Sequence, residues 1–348
     1  MDKYLSEIME QPAKMRYLYD SWAGSRELSL IGEDYKKAPK PIIFLGMGSS
    51  NFAPISVRTR LNRLKIPFYV YDAGEFLHYE IENVPQEAWV VAISQSGESF
   101  ETCASVKALK NRVGRIIAIT NEKESTLAHL ADTVLLLCAG QEKGSTTKTF
   151  MNTLLALHLL INTIETSGKI ESQDIMNLIS ITANLTESLM DETNKFISTL
   201  KISDQNTLDP LHLIARGPTL ATALQSSLVL SETTGIFSQA LSGGTFRHGP
   251  YELTGTQHRA LIFAPSGKTQ SLLLKLAKEL YRNGSKIILI SDTKENVPYF
   301  KLTLPTVNED LAPLLYFLPV EFFIWNLAKK RGREPGIMQN MGKVTKFE

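Results

Sequence analysis

The residues with the clearest chemical potential lie in the stretch Ser94-Gln95-Ser96-Gly97-Glu98-Ser99. Its serine hydroxyls can donate hydrogen bonds, and Gly97 lets a ligand approach the backbone closely. The apolar run Val90–Ile93 before it predicts a buried parallel strand, and Phe100–Leu109 after it predicts a helix. A strand, a tight polar loop and a helix together aim backbone N–H groups at an anion. The stretch therefore predicts an anion site, although serine and glycine also form ordinary turns.

The same pattern of a buried strand followed by a turn recurs through the first half of the chain. Ile42–Leu45 predicts a strand that runs into the glycine- and serine-rich turn Gly46–Asn51, and a helix is expected over Phe52–Leu64. Further strands are predicted at Pro67–Tyr71, Gly114–Thr120 and Thr133–Leu137. Strands alternating with helices are typical of an α/β protein with a doubly wound parallel sheet, here a flavodoxin-like α-β-α arrangement. Ligands of such sheets bind at the carboxyl ends of the strands, where both serine-bearing turns lie.

The second half of the chain repeats these landmarks. Leu211–Pro218 repeats the Ile42 strand and its turn 169 residues later, and Ala264–Thr269 repeats Ser94–Ser99 at an offset of 170. A third strand, Ile287–Asp292, repeats the one after Gly114. Repetition at one offset predicts an internal duplication and therefore two tandem domains of the same fold. Because Ser94 becomes Ala264 and Gln95 becomes Pro265, the chain is expected to bind one phosphate, in its first half.

The length of 348 residues suits two domains, each large enough to bury its own core. The predicted order is an N-terminal helix (1–24), a first phosphate-binding domain (25–166) and a helical linker (167–207). A second domain (208–330) and a C-terminal catalytic tail (331–348) complete the chain.

Composition argues against several classes of function. With Lys+Arg 37 against Asp+Glu 36, the net charge is +1 and no block of like charge is present, so neither nucleic acid nor a membrane surface is expected as a partner. Cys103 and Cys138 lack C-x-x-C spacing and are expected to be reduced thiols. The hydrophobic run Leu311–Ala328 contains prolines and a glutamate, which favours a buried helix over a membrane span. With no signal-peptide pattern at the N-terminus, a cytoplasmic protein is expected.

No cofactor or metal is expected from the motifs. The G-x-G of Gly46–Gly48 lacks the third glycine of a dinucleotide-binding turn. No Cys, His and Asp residues have metal-ligand spacing.

Together, the duplicated strand–turn–helix unit, the motif S-x-S-G-E-[ST] and the motif E-x(15)-H-G-P resemble the sugar isomerase (SIS) family. The resemblance extends from about residue 5 to Glu348 and includes the lysine-bearing tail Asn340–Glu348. Within the family it is strongest to the isomerase part of glutamine–fructose-6-phosphate aminotransferases. It implies two tandem SIS domains and a homodimer with shared active sites.

The resemblance also implies a role for each candidate site residue. The sugar phosphate would be held by Ser49, Ser50, Ser94, Gln95, Ser96 and Ser99. Glu232 falls on the family's proton-transfer glutamate, and His248 on the ring-opening histidine that a neighbouring subunit supplies. Lys343 falls on the lysine that forms an imine with the ketose.

These residue types suit the chemistry of aldose–ketose isomerisation. One carboxylate placed over C1 and C2 can move the proton, and Glu232 lies in the otherwise uncharged predicted helix Ala221–Thr234. Histidine titrates near neutral pH, as ring opening requires. Lys343 could form an imine or simply supply positive charge.

Two departures from the aminotransferases shape the expected function. Asp2 stands where those enzymes carry a cysteine nucleophile, and Val229 replaces a second active-site lysine three residues before the glutamate. We therefore expect an amino-sugar-phosphate isomerase without glutaminase, converting a hexosamine 6-phosphate to fructose 6-phosphate and ammonia. A fructosamine-6-phosphate deglycase is the alternative enzyme, because Val229 and Gly243-Gly244 could enlarge the site. A sugar-phosphate-sensing module is the alternative outside enzymes.

Overall fold

The computed structural model describes residues 2–169, 172–199, 210–340 and 342. The chain forms two compact units. One, the N-terminal unit, runs over Glu10–Met176 and includes Asn340. The other, the C-terminal unit, runs over Asn177–Gln339 and includes the chain up to Met9.

The N-terminal unit is built on five parallel strands in the order β2-β1-β3-β4-β5. The strands are β1 (Ile42–Gly46), β2 (Phe68–Asp72), β3 (Trp89–Ile93), β4 (Arg115–Thr120) and β5 (Thr133–Leu136). The first helix of the chain, α1 (Lys3–Met9), belongs to the other unit. The helices of the N-terminal unit are α2 (Gln11–Trp22), α3 (Arg26–Lys37), α4 (Ser49–Phe52), α5 (Arg58–Arg63), α6 (Ala73–Glu75), α7 (Phe100–Leu109), α8 (Thr126–Leu130) and α9 (Lys148–Thr166). Strands β1 and β3 are buried along their whole length, as their uninterrupted apolar sequences predict.

The C-terminal unit repeats this architecture with a second five-stranded parallel sheet, ordered β10-β9-β8-β6-β7. Its strands are β6 (Leu211–Ala215), β7 (Ser238–Ser242), β8 (Arg259–Ala264), β9 (Lys286–Ser291) and β10 (Phe300–Thr303). Its helices are α1 (Lys3–Met9), most of α10 (Gln173–Thr199), α11 (Leu220–Thr234), α12 (Gly243–Arg247), α13 (Gln270–Arg282) and α14 (Ala312–Lys330). The predicted pair of doubly wound sheets is confirmed.

The register of the strands shows the duplication directly. Leu45 of β1 lies opposite Ala92 of β3, and Ile214 of β6 lies opposite Ile262 of β8. The first pair maps onto the second at the offsets found in the sequence. Each unit therefore has the same pair of neighbouring strands at its centre, followed by equivalent loops.

One predicted helix is wrong in form. The segment expected as a single helix over Phe52–Leu64 consists of α4, a 3₁₀ turn (Ala53–Val57) and α5. Pro54 has no N–H to continue the α-helical hydrogen bonds of α4, which accounts for the break.

The most hydrophobic helix of the described residues lies within Glu309–Lys330 and is long and apolar enough to cross a membrane. In the structure, 94% of its most apolar window is buried. It carries the buried carboxylate Glu321. Such burial is that of a core helix, as the sequence predicts for this run.

Candidate active site

Both serine-bearing turns of the N-terminal unit lie at one edge of its sheet. Ser49 and Ser50 begin α4 two residues after β1, and the serine loop (Ser94–Ser99) directly follows β3. Since β1 and β3 are neighbours, their carboxyl ends lie side by side. In this strand order the chain reverses direction between β1 and β3, and the crevice there is the usual ligand position of doubly wound sheets. The fold therefore brings together two groups of hydroxyls that are 44 or more residues apart in the sequence.

Two serines of the loop are oriented by the backbone of the loop itself. Ser94 Oγ accepts a hydrogen bond from Gly97 N–H (3.1 Å), and Ser96 Oγ accepts one from Glu98 N–H (3.2 Å). Each oxygen is thus held as an acceptor, which leaves its hydroxyl proton to donate. Within the described parts of the chain, the side chains of Ser49, Ser50 and Gln95 make no hydrogen bond. These groups are available to an anion.

Ser99 differs from the other serines. Its hydroxyl donates to Glu101 Oε2 (3.3 Å) and accepts from Thr102 Oγ1 (3.3 Å). The Glu101 side chain is buried, with an exposed fraction of 7%. Ser99 therefore lies at the predicted place, but its proton points to a carboxylate and would have to turn away from Glu101 to reach a phosphate.

The serine loop is fixed by Glu98, for which the sequence predicts no role. The Glu98 carboxylate accepts hydrogen bonds from Thr126 N–H (2.8 Å) and Thr126 Oγ1 (2.9 Å) at the start of α8. Gly97 has a φ of +65°, and a Cβ on it would overlap the Ser125 side chain. Within the S-x-S-G-E-S motif, Glu98 thus holds the loop in position. Gly97 is required there by its positive φ and by its close approach to Ser125.

Cys103 lies behind the loop, and its thiol donates to Gly97 O (3.3 Å). Burial, and secondarily the charge of Glu98, raise the pKa of the Cys103 thiol to about 11. A thiol protonated at neutral pH is a poor nucleophile, so Cys103 supports the loop and does not supply covalent chemistry.

The predicted catalytic residues Glu232 and His248 belong to the C-terminal unit. Glu232 is half-buried near the end of α11, which terminates at Gly235 in the left-handed region with a φ of +68°. A Cβ on Gly235 would overlap the Arg333 guanidinium, so close packing of Arg333 also requires glycine there. Lys343, the third predicted catalytic residue, lies outside the described residues.

His248 follows α12 and is exposed. Its imidazole makes no hydrogen bond or ion pair with any residue that the structure describes. Its neighbours are anchored instead: Phe246 is fully buried with its ring edge-on to His212 at 5.4 Å, and Arg247 pairs with Glu279 at 2.6 Å. The histidine is thus presented on a short, well-supported turn.

The structure shows the surroundings of Val229 and of the Gly243-Gly244 pair, the two features expected to enlarge the site. Val229 has an exposed fraction of 0% in α11, so it lines no open cavity in this structure. The Arg216 side chain packs against Gly243, where a Cβ would lie 2.9 Å from Arg216 Nε, and its guanidinium lies beside Gly244. Arg216 thus fills the space beside Gly243, whereas a Cβ on Gly244 would make only an ordinary van der Waals contact with it, at 3.5 Å.

Among the described residues, no group of three or more His, Cys, Asp or Glu side chains could hold a metal ion.

The chain is thus an α/β protein of two tandem, doubly wound units, with a serine loop at the central strands of the first. The SIS domain model matches residues 36–163 and 201–320, more than half of the chain. The chain therefore belongs to the SIS domain family, as its motifs predict.

Comparisons with known proteins agree with this assignment. The chain is 31% identical, over 99% of its length, to glutamine–fructose-6-phosphate aminotransferase (isomerizing) of Thermococcus kodakarensis, and spans 58% of that relative. Its fold is similar to the C-terminal domain of glucosamine-fructose-6-phosphate aminotransferase from Francisella tularensis (TM-score 0.81, 22% identity, 97% and 98% of the two chains). It is also similar to glucosamine-6-phosphate deaminase from Thermotoga maritima (TM-score 0.78, 23% identity, 99% of each chain).

Proposed function

We propose that the chain is a phosphosugar isomerase that acts on amino-sugar 6-phosphates and couples aldose–ketose isomerisation to loss of the amine. The reaction is hexosamine 6-phosphate plus water giving fructose 6-phosphate plus ammonia. The observation that carries the proposal is the serine loop beside Ser49 and Ser50, whose hydroxyl donors meet at the usual ligand crevice. Family membership and an isomerising relative that acts on fructose 6-phosphate support the choice of sugar.

In this proposal the serine loop binds the 6-phosphate and fixes the sugar, so that the reacting carbons lie at one carboxylate. Glu232 takes the proton from C2 while O1 gains a proton, which gives an enolamine. Glu232 then returns its proton to C1 as the nitrogen gives one up. The product is an imine at C2. Water adds to that carbon, the C–N bond breaks, and ammonia leaves with the proton that water supplies.

His248 and Lys343 complete the proposed machinery. An imidazole can both take up and release a proton, so His248 can move the proton between the ring oxygen and O1 when the sugar ring opens. The exposure of His248 leaves its imidazole accessible to a bound sugar. Lys343 would hold the open-chain ketose as an imine or by charge.

The direct test is to incubate the purified chain separately with glucosamine 6-phosphate, galactosamine 6-phosphate and fructoselysine 6-phosphate. Ammonia, lysine and ketose phosphate are measured in each case. We expect ammonia and a ketose 6-phosphate in equal amounts from a hexosamine 6-phosphate: fructose 6-phosphate from glucosamine 6-phosphate, or tagatose 6-phosphate from galactosamine 6-phosphate. Lysine release without ammonia would replace the proposal with a deglycase. Tight binding of sugar phosphate with no turnover of any substrate would replace it with a sensing module.

The role of Glu232 is tested separately by Glu232→Gln, with exposed Glu252→Gln in the same unit as the matched control. Loss of a general acid–base group typically lowers the rate by about 10²–10⁴-fold. Deuterium incorporation from solvent into the sugar should fall by this factor in Glu232→Gln, while sugar-phosphate binding is kept. Wild-type exchange in that variant would exclude Glu232 as the proton carrier.

A further inference from the structure

The C-terminal unit contains a copy of the serine loop, and carboxylates of the chain already occupy it. The copy, Ala264–Thr269, follows β8 as the serine loop follows β3. Ser266 N–H donates to Asp292 Oδ1 (2.9 Å), and Lys268 N–H donates to Glu309 Oε2 (3.1 Å). In this copy, the backbone N–H groups that could bind an external anion thus already donate to carboxylates of the chain itself.

Glu309 lies at the point of the second sheet that corresponds to the predicted phosphate position of the first. A Cβ on Gly267, after β8, would overlap the Glu309 carboxyl group, and one on Gly217, after β6, would lie 3.7 Å from Glu309 Oε1. Strands β6 and β8 are neighbours, as β1 and β3 are in the first sheet. The carboxylate therefore sits where the chain reverses direction in the sheet, in the crevice that such folds use for ligands.

The same edge of the second sheet carries a cation without an anionic partner. The half-buried Arg216 directly follows β6, and no described residue hydrogen-bonds or pairs with its guanidinium. The hydroxyls of Ser266 and Thr269 likewise have no hydrogen-bond partner in the described chain. An unpaired guanidinium beside open hydroxyls and backbone N–H groups favours an oxyanion such as phosphate.

We propose that Glu309 is an internal anion that keeps this second crevice closed to phosphate. Without Glu309, the crevice would offer a phosphate the Arg216 guanidinium, Lys268 N–H and the hydroxyls of Ser266 and Thr269, while Asp292 keeps Ser266 N–H. A phosphate group, free or on a sugar, would meet the negative charge of Glu309 at the same donors, and like charges this close repel. The inference extends the proposed function, because it explains why a duplicated fold would carry one phosphate per chain.

The test measures phosphate binding to the full chain by calorimetry. Wild-type protein should bind inorganic phosphate at one site, and Glu309→Gln, which keeps an acceptor for Lys268 N–H, should bind it at two. The matched control is Glu295→Gln, which removes one half-exposed carboxylate of the same unit, paired with Lys278. The control should bind as the wild type does. A single site in both Glu309→Gln and Glu309→Ala, or two sites in the wild type, would overturn the inference.

Two further substitutions locate each binding event. In the Glu309→Gln background, Arg216→Gln should weaken the second event about tenfold or more, the usual effect of one charge-assisted hydrogen bond, and leave the first unchanged. Ser94→Ala in that background should weaken only the first event. If Ser94→Ala changed nothing while the second event remained, the proposed phosphate site of the N-terminal unit would fail and the inference about Glu309 would stand.

Discussion

The backbone of the serine loop fixes the side chains of Ser94 and Ser96, the proposed phosphate ligands. Each hydroxyl oxygen is fixed by an N–H of its own loop, at 3.1 and 3.2 Å, so rotation of the hydroxyl is restricted before any ligand arrives. Glu98 holds that loop to the start of α8. Because the donors are already ordered, little entropy is lost when an anion binds.

Removing either hydroxyl should therefore weaken binding of the sugar phosphate. A hydrogen bond to a charged group contributes roughly 1.5–3 kcal/mol, so Ser94→Ala and Ser96→Ala should each raise the Kd for sugar phosphate about tenfold or more. The matched control is Ser266→Ala, the equivalent of Ser96 in the second loop, which should leave the Kd unchanged. Calorimetry with sugar phosphate and with inorganic phosphate measures both. Equal affinity in all three variants would place the anion elsewhere.

For single residues, the sequence indicates which residues form the candidate site better than it indicates the hydrogen bonds that their side chains make. The motif around Ser94 indicates an anion site because serine, glycine and a following helix are enough to suggest one. Nothing in the motif shows that the Ser99 proton points to Glu101, because a serine can donate in any direction that its neighbours allow. Arg216 and Glu309 are missed for a similar reason, since their roles depend on packing between segments 93 residues apart.

At the scale of elements, two buried histidines link neighbouring segments of the second sheet. His212 lies in β6, and His258 lies in the loop just before β8. His212 Nδ1 lies 3.1 Å from His258 Nε2, and His258 Nδ1 lies 2.9 Å from Ser285 Oγ. Both histidines are buried, and the Phe246 ring packs between them and Tyr251. The pair thus supports the turn that presents His248, and burial disfavours the charged form of each imidazole.

The pair should make the stability of the chain depend on pH. Burial is the main reason that the pKa of His258 is lowered to about 4, and the charges of His212 and Arg259 lower it further. Burial also lowers the pKa of His212, although a hydrogen bond with Gln239 acts in the opposite direction. Unfolded chains take up a proton near pH 6.5, whereas the folded His258 stays neutral down to about pH 4. The contribution of His258 to the free energy of unfolding is therefore fully present above about pH 7. It decreases as the pH falls from about 6.5 to about 4, and at pH 5 the free energy of unfolding is lower by about 2 kcal/mol.

Urea denaturation between about pH 7.5 and 5 tests this expectation. His258→Gln should flatten the decline, even if the variant is less stable throughout. The control is His129→Gln, since the His129 side chain is 66% exposed, and its decline should match that of the wild type. Equal slopes in the wild type and His258→Gln would show that the pair does not govern acid stability.

The elements themselves are largely predictable because buried parallel strands have continuous apolar sequences. All five strands of the first sheet lie within one or two residues of their predicted positions. The helix predicted over Phe52–Leu64 is wrong because apolar spacing alone does not weigh Pro54. Helix α3 is not predicted at all because its sequence is largely polar. Three of its residues, Leu28, Ile31 and Tyr35, are nevertheless buried.

For the whole molecule, the proposed function draws on residues of both units. The serine loop belongs to the N-terminal unit, and Glu232 and His248 belong to the C-terminal unit. His248 is exposed and unpaired among the described residues. An exposed histidine of this kind is accessible to another chain, which agrees with the family resemblance, where the histidine is supplied by a neighbouring subunit.

We therefore expect a symmetric homodimer in which His248 completes the active site of the partner subunit. Glu232→Gln and His248→Ala chains should each be inactive alone. In a mixed dimer, one of the two sites combines the intact Glu232 of one chain with the intact His248 of the other. If the subunits of an equal mixture exchange freely, half of the dimers are mixed, so about a quarter of the wild-type activity should return. Subunit exchange is verified with two affinity tags, and tagged wild-type chains serve as the control. Confirmed exchange without recovered activity would show that both residues act within one chain.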